Sequence, residues 1–461
     1  MKKIIYSLLA VWLFSSCSNW FDAPPKTQDI DEKTLFCNES AFRNALTGIY
    51  TELRSNELYG SNLSLGGVEF LGQSFVPDAP LQAWTSFDYQ SAFAREWAQE
   101  VWQGMYHAIY SANNLMRLLD ERDDVIFVKG SREMMQAELK ALRAVLHYEL
   151  VRLFHPAYVA DQNYKAVAWM ESADATPQVW TTEVLVGHIL DELEQAIQQL
   201  EKYDPILTGE SYDADALFGE RPQDRVWKLN YYAAVGLKAR IWMTLGTKEG
   251  YAGAYRYAQK IMTSGEYKLV EIPGSDLGFS SEQLMSLSSL ENGLQALSED
   301  LFVSRGVKIS SVVGLSGLQA SAPNDKRLKW FSTDLGSMSP KFGKNSLVAN
   351  WKVPQGIPFI KYGEVWLIAA EAALRSEADK SAGYNLLKDF IAARYSSMAI
   401  TANSTVEEML EEIGRQYRYE FVGEGQLFYF YKRLNVPVLL KWDGTEVTMG
   451  KDKYVLPVPV I

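Results

Sequence analysis

The chain is expected to be mainly α: a scaffold of helical pairs carrying one long irregular, partly β excursion. Three observations predict this class. Apolar residues recur every three or four positions through most of the sequence. The periodic segments come two by two, joined by short links. Residues 271–356 break the rhythm with Ser, Gly and short β-like pieces.

Asn38 is placed to cap a first helix whose stripe is Phe42, Leu46, Ile49 and Leu53. Residues 60–90 interrupt the pattern with Gly60, Gly66, Gly67, Gly72, Pro77 and Pro80. A long helix follows over 91–120, with Val101, Met105, Ala108, Ala112, Leu115 and Leu119 on one face. The next covers 132–154 through Leu139, Leu142, Leu146, Leu150 and Leu153, and Pro156 stops it. Leu185, Ile189, Leu193, Ile197 and Leu200 repeat the spacing over 181–201. Two helices meeting near Gly246 and Gly250 fill 228–264, and another pair fills 361–376 and 381–395. Ser404 and Glu407 predict a capping box opening a helix that runs to about Val422. Within the excursion, 301–303 and 307–309 read as short strands.

Paired helices need small residues where they touch. Ala239, Trp242, Tyr255 and Ala258, then Ala370, Ala373, Ala382 and Leu386, fall at the offsets of a tetratricopeptide repeat. Tyr251 stands where that pattern has Ala. The scaffold is therefore expected to be tetratricopeptide-like, with an irregular bundle as the alternative.

Lys2 and Lys3 precede an apolar run over 4–14, too short for a bilayer of about 30 Å and shaped like a secretory signal peptide. The run ends Leu13-Phe14-Ser15-Ser16-Cys17, which resembles the cleavage box of bacterial lipoproteins except that Phe14 replaces its Leu. The expected division is a signal peptide over 1–16 and a lipidated Cys17 with a polar tether over 17–40. Scaffold follows over 41–270 with the loop region 60–90, then the excursion 271–356, then scaffold over 357–461. With Cys17 lipidated, Cys37 has no partner, and two cysteines exclude a CxxC redox or zinc site.

The net charge of −12 argues against a non-specific nucleic-acid binder and against a polybasic membrane patch, so the membrane is reached through the N-terminal lipid only. Aromatic residues make up 13% of the chain, which suits flat uncharged ligands. None of the four His falls in a zinc-ligand spacing, and nucleophile-elbow, phosphate-loop and dinucleotide motifs are lacking. No enzyme, cofactor or metal is expected. His107, His147 and His188 read as surface or satisfied core residues. Glu407, Glu408, Glu411 and Glu412 read as a solvated helix face. Glu364 and Glu371, among small apolar residues, should be paired or at the surface, with Lys361 or Arg375 at hand as a partner.

Seven motifs, the central helix pair counted as one, follow one another along the chain. They begin with Cys17-Ser-Asn-Trp-Phe-Asp-Ala-Pro-Pro and LFCNESAFRNALTGIYTEL, with Gly48, Ile49 and Tyr50. VWQGMYHAIYSANNLMRLLD and AELKALRAVLHYELVRLFHP follow, with Tyr106, Asn113, Arg143 and Leu150. LNYYAAVGLKARIWMTLG, YAQKIMTSGEYKLV and IKYGEVWLIAAEAALR come next, the last through Glu364 and Glu371. RQYRYEFVGEGQLFYFYKRLN closes the set through Arg418, Glu420, Glu424, Gly425 and Arg433. Together these motifs resemble the SusD/RagB family of surface lipoproteins, in which two positions that are often an Arg and an Asp are Leu427 and Phe430 here.

The resemblance implies a non-enzymatic binding protein on the outer face of the outer membrane. It would capture a nutrient for a SusC-like TonB-dependent channel. The cargo it implies is a glycan, with a peptide as the RagB-like alternative. A helical scaffold that binds only protein and a carbohydrate hydrolase remain rival readings.

A sugar face stacked on an aromatic ring removes about 60–100 Å² from water, or roughly 1.5–2.5 kcal/mol. Helical aromatics such as Trp102, Trp242, Trp366 and Tyr417 are expected in the core. Binding residues are sought in the two irregular regions instead. The first offers Trp84, Phe87 and Tyr89 near Asp78. The second offers Trp330, Phe331 and Trp351 near Asn324, Arg327 and Lys329, and the run from Asn324 to Phe331 is the favoured cluster. Against this stands the reading that the same rings pack the excursion onto the scaffold.

Overall fold

The computed structural model describes residues 31–212, 220–270, 279–288, 293–331, 339–342, 356–376 and 379–459. The signal peptide, Cys17 and Trp351 lie outside them.

The longer helices are α1 (Glu39–Leu53), α2 (Ala92–Glu121), α3 (Ser131–Phe154), α4 (Thr182–Tyr203), α5 (Tyr231–Thr244), α6 (Lys248–Met262), α7 (Tyr362–Arg375), α8 (Lys380–Ala393) and α9 (Val406–Glu420). A shorter α10 (Leu427–Arg433) follows. Each longer helix packs on its predecessor in the pairs α1–α2, α3–α4, α5–α6 and α7–α8, and α6 packs on α7 to link one pair to the next. The tetratricopeptide-like scaffold expected from the sequence is thus the observed one. The apolar stripes supply its core, since Leu46, Ile109, Leu146, Leu193, Ala239 and Ala370 are all buried.

Polar side chains start most of these helices. Asn38 Oδ1 accepts from the Ala41 N–H at 3.0 Å, Asn230 from Ala233 at 2.9 Å and Asp379 from Ala382 at 3.0 Å. Helix α9 is capped one residue later than expected. Thr405, not Ser404, accepts from Glu408 N–H at 3.1 Å, and the Glu408 carboxylate answers the Thr405 N–H at 2.8 Å. Close approach within a pair is clearest at Gly253, where an added Cβ would lie 2.6 Å from the Trp242 ring.

Two short ladders bind the irregular segments together. Strand β1 (Phe75–Val76) lies in the first loop region, β2 (Ala168–Trp169) and β3 (Gln178–Val179) form a hairpin, and β4 (Gln283–Ser288), β5 (Lys308–Ile309) and β6 (Gly356–Lys361) follow. Strand β1 pairs antiparallel with β5, and β4 pairs antiparallel with β6. The two irregular regions therefore pack on each other, and the strand expected at 307–309 is present. Residues 301–303 are not a strand. They lie in a wide helical turn over Asp300–Ser304 that turns both Leu301 and Phe302 inward, whereas a strand would send neighbours to opposite faces.

Most buried charges among the described residues are paired. Arg225 sits among Asp204, Glu138 and Glu220 at 2.9, 2.6 and 3.0 Å. Glu371 takes Arg375 at 2.7 Å, as expected, and Arg433 as well. Glu364 takes Arg240 at 2.6 Å, and Lys361 turns to Glu424 at 2.7 Å instead. Glu412 is buried, bonded to Arg415 and Gln416, and so does not belong to the solvated face of α9.

Candidate functional site

An open cleft of about 690 Å³ lies between residues 323–329 and the end of α8. Its lining includes Asn324, Lys326, Lys329, Tyr395 and Ser396. One wall is a tight turn over Lys326–Trp330, capped by Asp325, whose Oδ1 accepts from the Arg327 N–H at 2.9 Å. The opposite wall is the terminus of α8.

That terminus places an aromatic ring where glycine is usual. The Ser396 N–H donates to the Ile391 carbonyl at 3.1 Å and the Tyr395 N–H to Ala392 at 3.0 Å. This is the Schellman pattern, whose left-handed position is Tyr395 with φ +56°. A side chain there costs roughly 1–2 kcal/mol. The ring is 48% exposed, and the Lys326 ammonium lies 4.7 Å from its centroid.

A buried ionic network anchors both walls from below. Arg394, next to Tyr395, donates to Glu282 at 2.7 and 2.7 Å and to Glu420 at 2.9 and 3.0 Å. Arg327 donates to Asp325 at 3.0 and 2.8 Å and to Gln416 at 2.8 Å. Arg394, Lys361 and Arg327 together hold the Glu420 carboxyl well below the usual range, against the upward push of burial. Lys341 is also lowered, to about 8, chiefly by burial, which here disfavours the charged form.

The favoured cluster therefore divides. Asn324 and Lys329 are exposed and line the cleft. Arg327, Trp330 and Phe331 are buried beneath it. The Trp330 ring packs edge-on against Phe279 at 5.1 Å, with the Lys341 ammonium 4.1 Å above it. Arg327 spends its donors on the network. The expectation of exposed platforms at Trp330 and Phe331 is corrected, because these rings seat the excursion on the scaffold.

The 75–90 group is corrected on the same ground. Trp84 is fully buried, 4.7 Å from Trp97, and its N–H donates to the Gly67 carbonyl at 3.1 Å. Phe87 is buried, and Tyr89 donates its hydroxyl to the Lys453 carbonyl at 2.7 Å. Asp78 is paired with Arg305 at 2.7 Å. None of these residues lines the cleft.

Sequence reasoning missed Tyr395 because it continued the preceding helix over that residue. A signal was available, since no glycine follows Ala393 to take the left-handed position, so one of the next residues had to occupy it.

Among the described residues no helix is long and apolar enough to cross a membrane, and no group of three or more His, Cys, Asp or Glu is placed to hold a metal ion.

Comparison with known proteins adds relatives to this geometry. The SusD family model matches residues 255–455. A SusD-like protein of Formosa agariphila is 24% identical over 173 residues, 34% of this chain and 31% of the relative, so the match spans about a third of that relative's length. Among solved structures, a SusD superfamily protein from Bacteroides fragilis superposes with a TM-score of 0.70 at 19% identity, covering 92% of this chain and 97% of that one. One from Bacteroides thetaiotaomicron gives 0.69 at 19% identity, covering 91% and 96%. A SusD-like carbohydrate binding protein from Bacteroides vulgatus gives 0.67 at 17% identity, covering 87% and 84%. Family match, curated relative and shared fold agree with the resemblance to the SusD family that the ordered motifs of the sequence carry.

Proposed function

We propose that the protein captures a glycan in the cleft beside Tyr395 and delivers it to a TonB-dependent outer-membrane channel, without chemistry of its own. The observation that carries this reading is the half-exposed Tyr395 ring, held in a left-handed conformation at the edge of an open cleft. Strain of this kind persists only where surrounding structure imposes it, and the Arg394 network supplies that constraint. The ring offers an apolar face to a sugar, while Asn324 and Lys329 offer donors and an acceptor for its hydroxyls. One platform gives modest affinity, which suits a protein that must release its cargo.

In this reading Cys17 carries the lipid and 17–40 is the tether, so the cleft-bearing scaffold stands on the outer face of the outer membrane. The Bacteroides vulgatus relative described as carbohydrate binding supports a sugar as the cargo class.

The test is an immobilised panel of plant, microbial and host glycans probed with residues 18–461 and with Tyr395→Ala. A specific hit lost in the variant is expected. Binding of peptides but of no sugar would replace the cargo, and release of reducing sugar from any polysaccharide would overturn the non-enzymatic reading.

A further inference from the structure

Away from the cleft, a cavity of about 60 Å³ lies where the end of α3 meets α5, α7 and α10. Its lining is two-sided. Met243, Ile368 and Phe430 form an apolar wall, and Arg152, Arg240, Arg433 and Lys432 bring four cations. Each guanidinium has a carboxylate partner: Arg152 has Glu149 at 2.6 Å, Arg240 has Glu364 at 2.6 Å, and Arg433 shares Glu371 with Arg375.

Lys432 has none among the described residues. It is buried, and its Nζ donates to two main-chain carbonyls at the end of α3, Arg152 at 2.6 Å and Leu153 at 3.1 Å. The neutral amine's two N–H donors are used by these carbonyls, and the ammonium form would carry a third that is left over. Burial, with Arg152 nearby, pushes this amine well below the usual lysine range. Capping the carbonyls of α3 explains where the Nζ sits. It does not explain four cations and three carboxylates around one cavity. The neighbouring Tyr429 hydroxyl is likewise buried without a hydrogen-bond partner.

We propose that this cavity is a binding site for a small monocarboxylate of one or two carbons, whose carboxylate pairs with Lys432 and whose carbon end lies on the apolar wall. The charge matches, since a carboxylate beside Lys432 favours its ammonium form and supplies the counter-charge that it lacks among the described residues. The size matches too, because a water-sized sphere takes about 10–15 Å³, leaving room for roughly four or five heavy atoms. The site is separate from the cleft and does not depend on the cargo bound there.

The probe is sodium acetate, titrated into the protein at constant ionic strength against sodium chloride, with Lys432→Met in parallel. Acetate is expected to raise Tm with the logarithm of its concentration, by about 2–5 °C at a hundredfold excess over Kd, and the rise is expected to vanish in the variant. An equal acetate response in the variant would overturn the site. So that the test survives a variant that fails to fold, the Lys432 side-chain resonance of the unaltered protein is followed by NMR. Acetate should move it toward the ammonium form, and an unmoved resonance at saturating acetate would overturn the proposal.

Discussion

The backbone N–H of Lys326 donates to the carbonyl of Arg394 at 3.0 Å. This bond joins the turn that forms one wall of the cleft to the helix end that presents Tyr395. Both partners are buried, and Arg394 is further clamped by Glu282 and Glu420. The width of the cleft is thus set by a network far from either terminus in sequence.

Relief of strain separates binding from stability at Tyr395. Tyr395→Gly is expected to raise stability by about 1 kcal/mol, because glycine accepts φ +56° without steric cost. The same variant should lose glycan binding. Denaturant unfolding and the glycan array together check this, and a less stable Tyr395→Gly would show that the ring is held by packing.

Removing the clamp should be costly. Arg394→Met leaves Glu282 and Glu420 buried with one cation fewer, which typically costs about 3–5 kcal/mol. Urea unfolding measures it. A loss below about 1 kcal/mol would mean that Lys361 and Arg327 suffice to hold Glu420.

Buried indoles should behave as core residues. Trp84→Ala and Trp330→Ala are expected to lose about 3–5 kcal/mol each. Their effect on binding should follow the folded fraction measured by circular dichroism. A fully folded Trp330→Ala that has lost its ligand would restore that ring to the binding site.

Acid should loosen the segment that follows α3. His147 Nε2 accepts from the Met170 N–H at 3.1 Å, and His155 Nε2 accepts from the Val167 N–H at 3.0 Å. Burial first, then nearby cations, lower both imidazoles to about 3. A histidine depressed in the folded state takes up its proton more readily when unfolded. Its contribution is therefore whole above pH 6.5 and declines as pH falls toward 3. The limiting slope is about 1.4 kcal/mol per pH unit for each ring. Unfolding curves between pH 7 and 4 should show this dependence, flattened in His147→Gln, whose amide cannot gain a charge.

The helix cap offers a smaller check. Thr405→Ala is expected to cost about 1 kcal/mol and Ser404→Ala less than about 0.5 kcal/mol, since only Thr405 accepts from the Glu408 N–H. Thermal melts of the two variants decide which residue is the cap.

Periodicity alone determined the helical scaffold, because stripes such as Phe42-Leu46-Ile49-Leu53 can be buried only as helices packed on helices, and their order along the chain dictates the stacking. It also marked 324–329 as irregular, and Asn324 and Lys329 line the cleft there. What it could not assign was the exposure of the aromatic rings. Burial of Trp84 by Trp97, and of Trp330 by Phe279 and Lys341, depends on partners 11 to 51 residues away, which no local pattern specifies. The exposure of Tyr395 came from a backbone turn at a helix end, held by carboxylates from β4's flank and α9. Local sequence sets which residues can share a face. Which of those faces meets water is decided when distant segments pack.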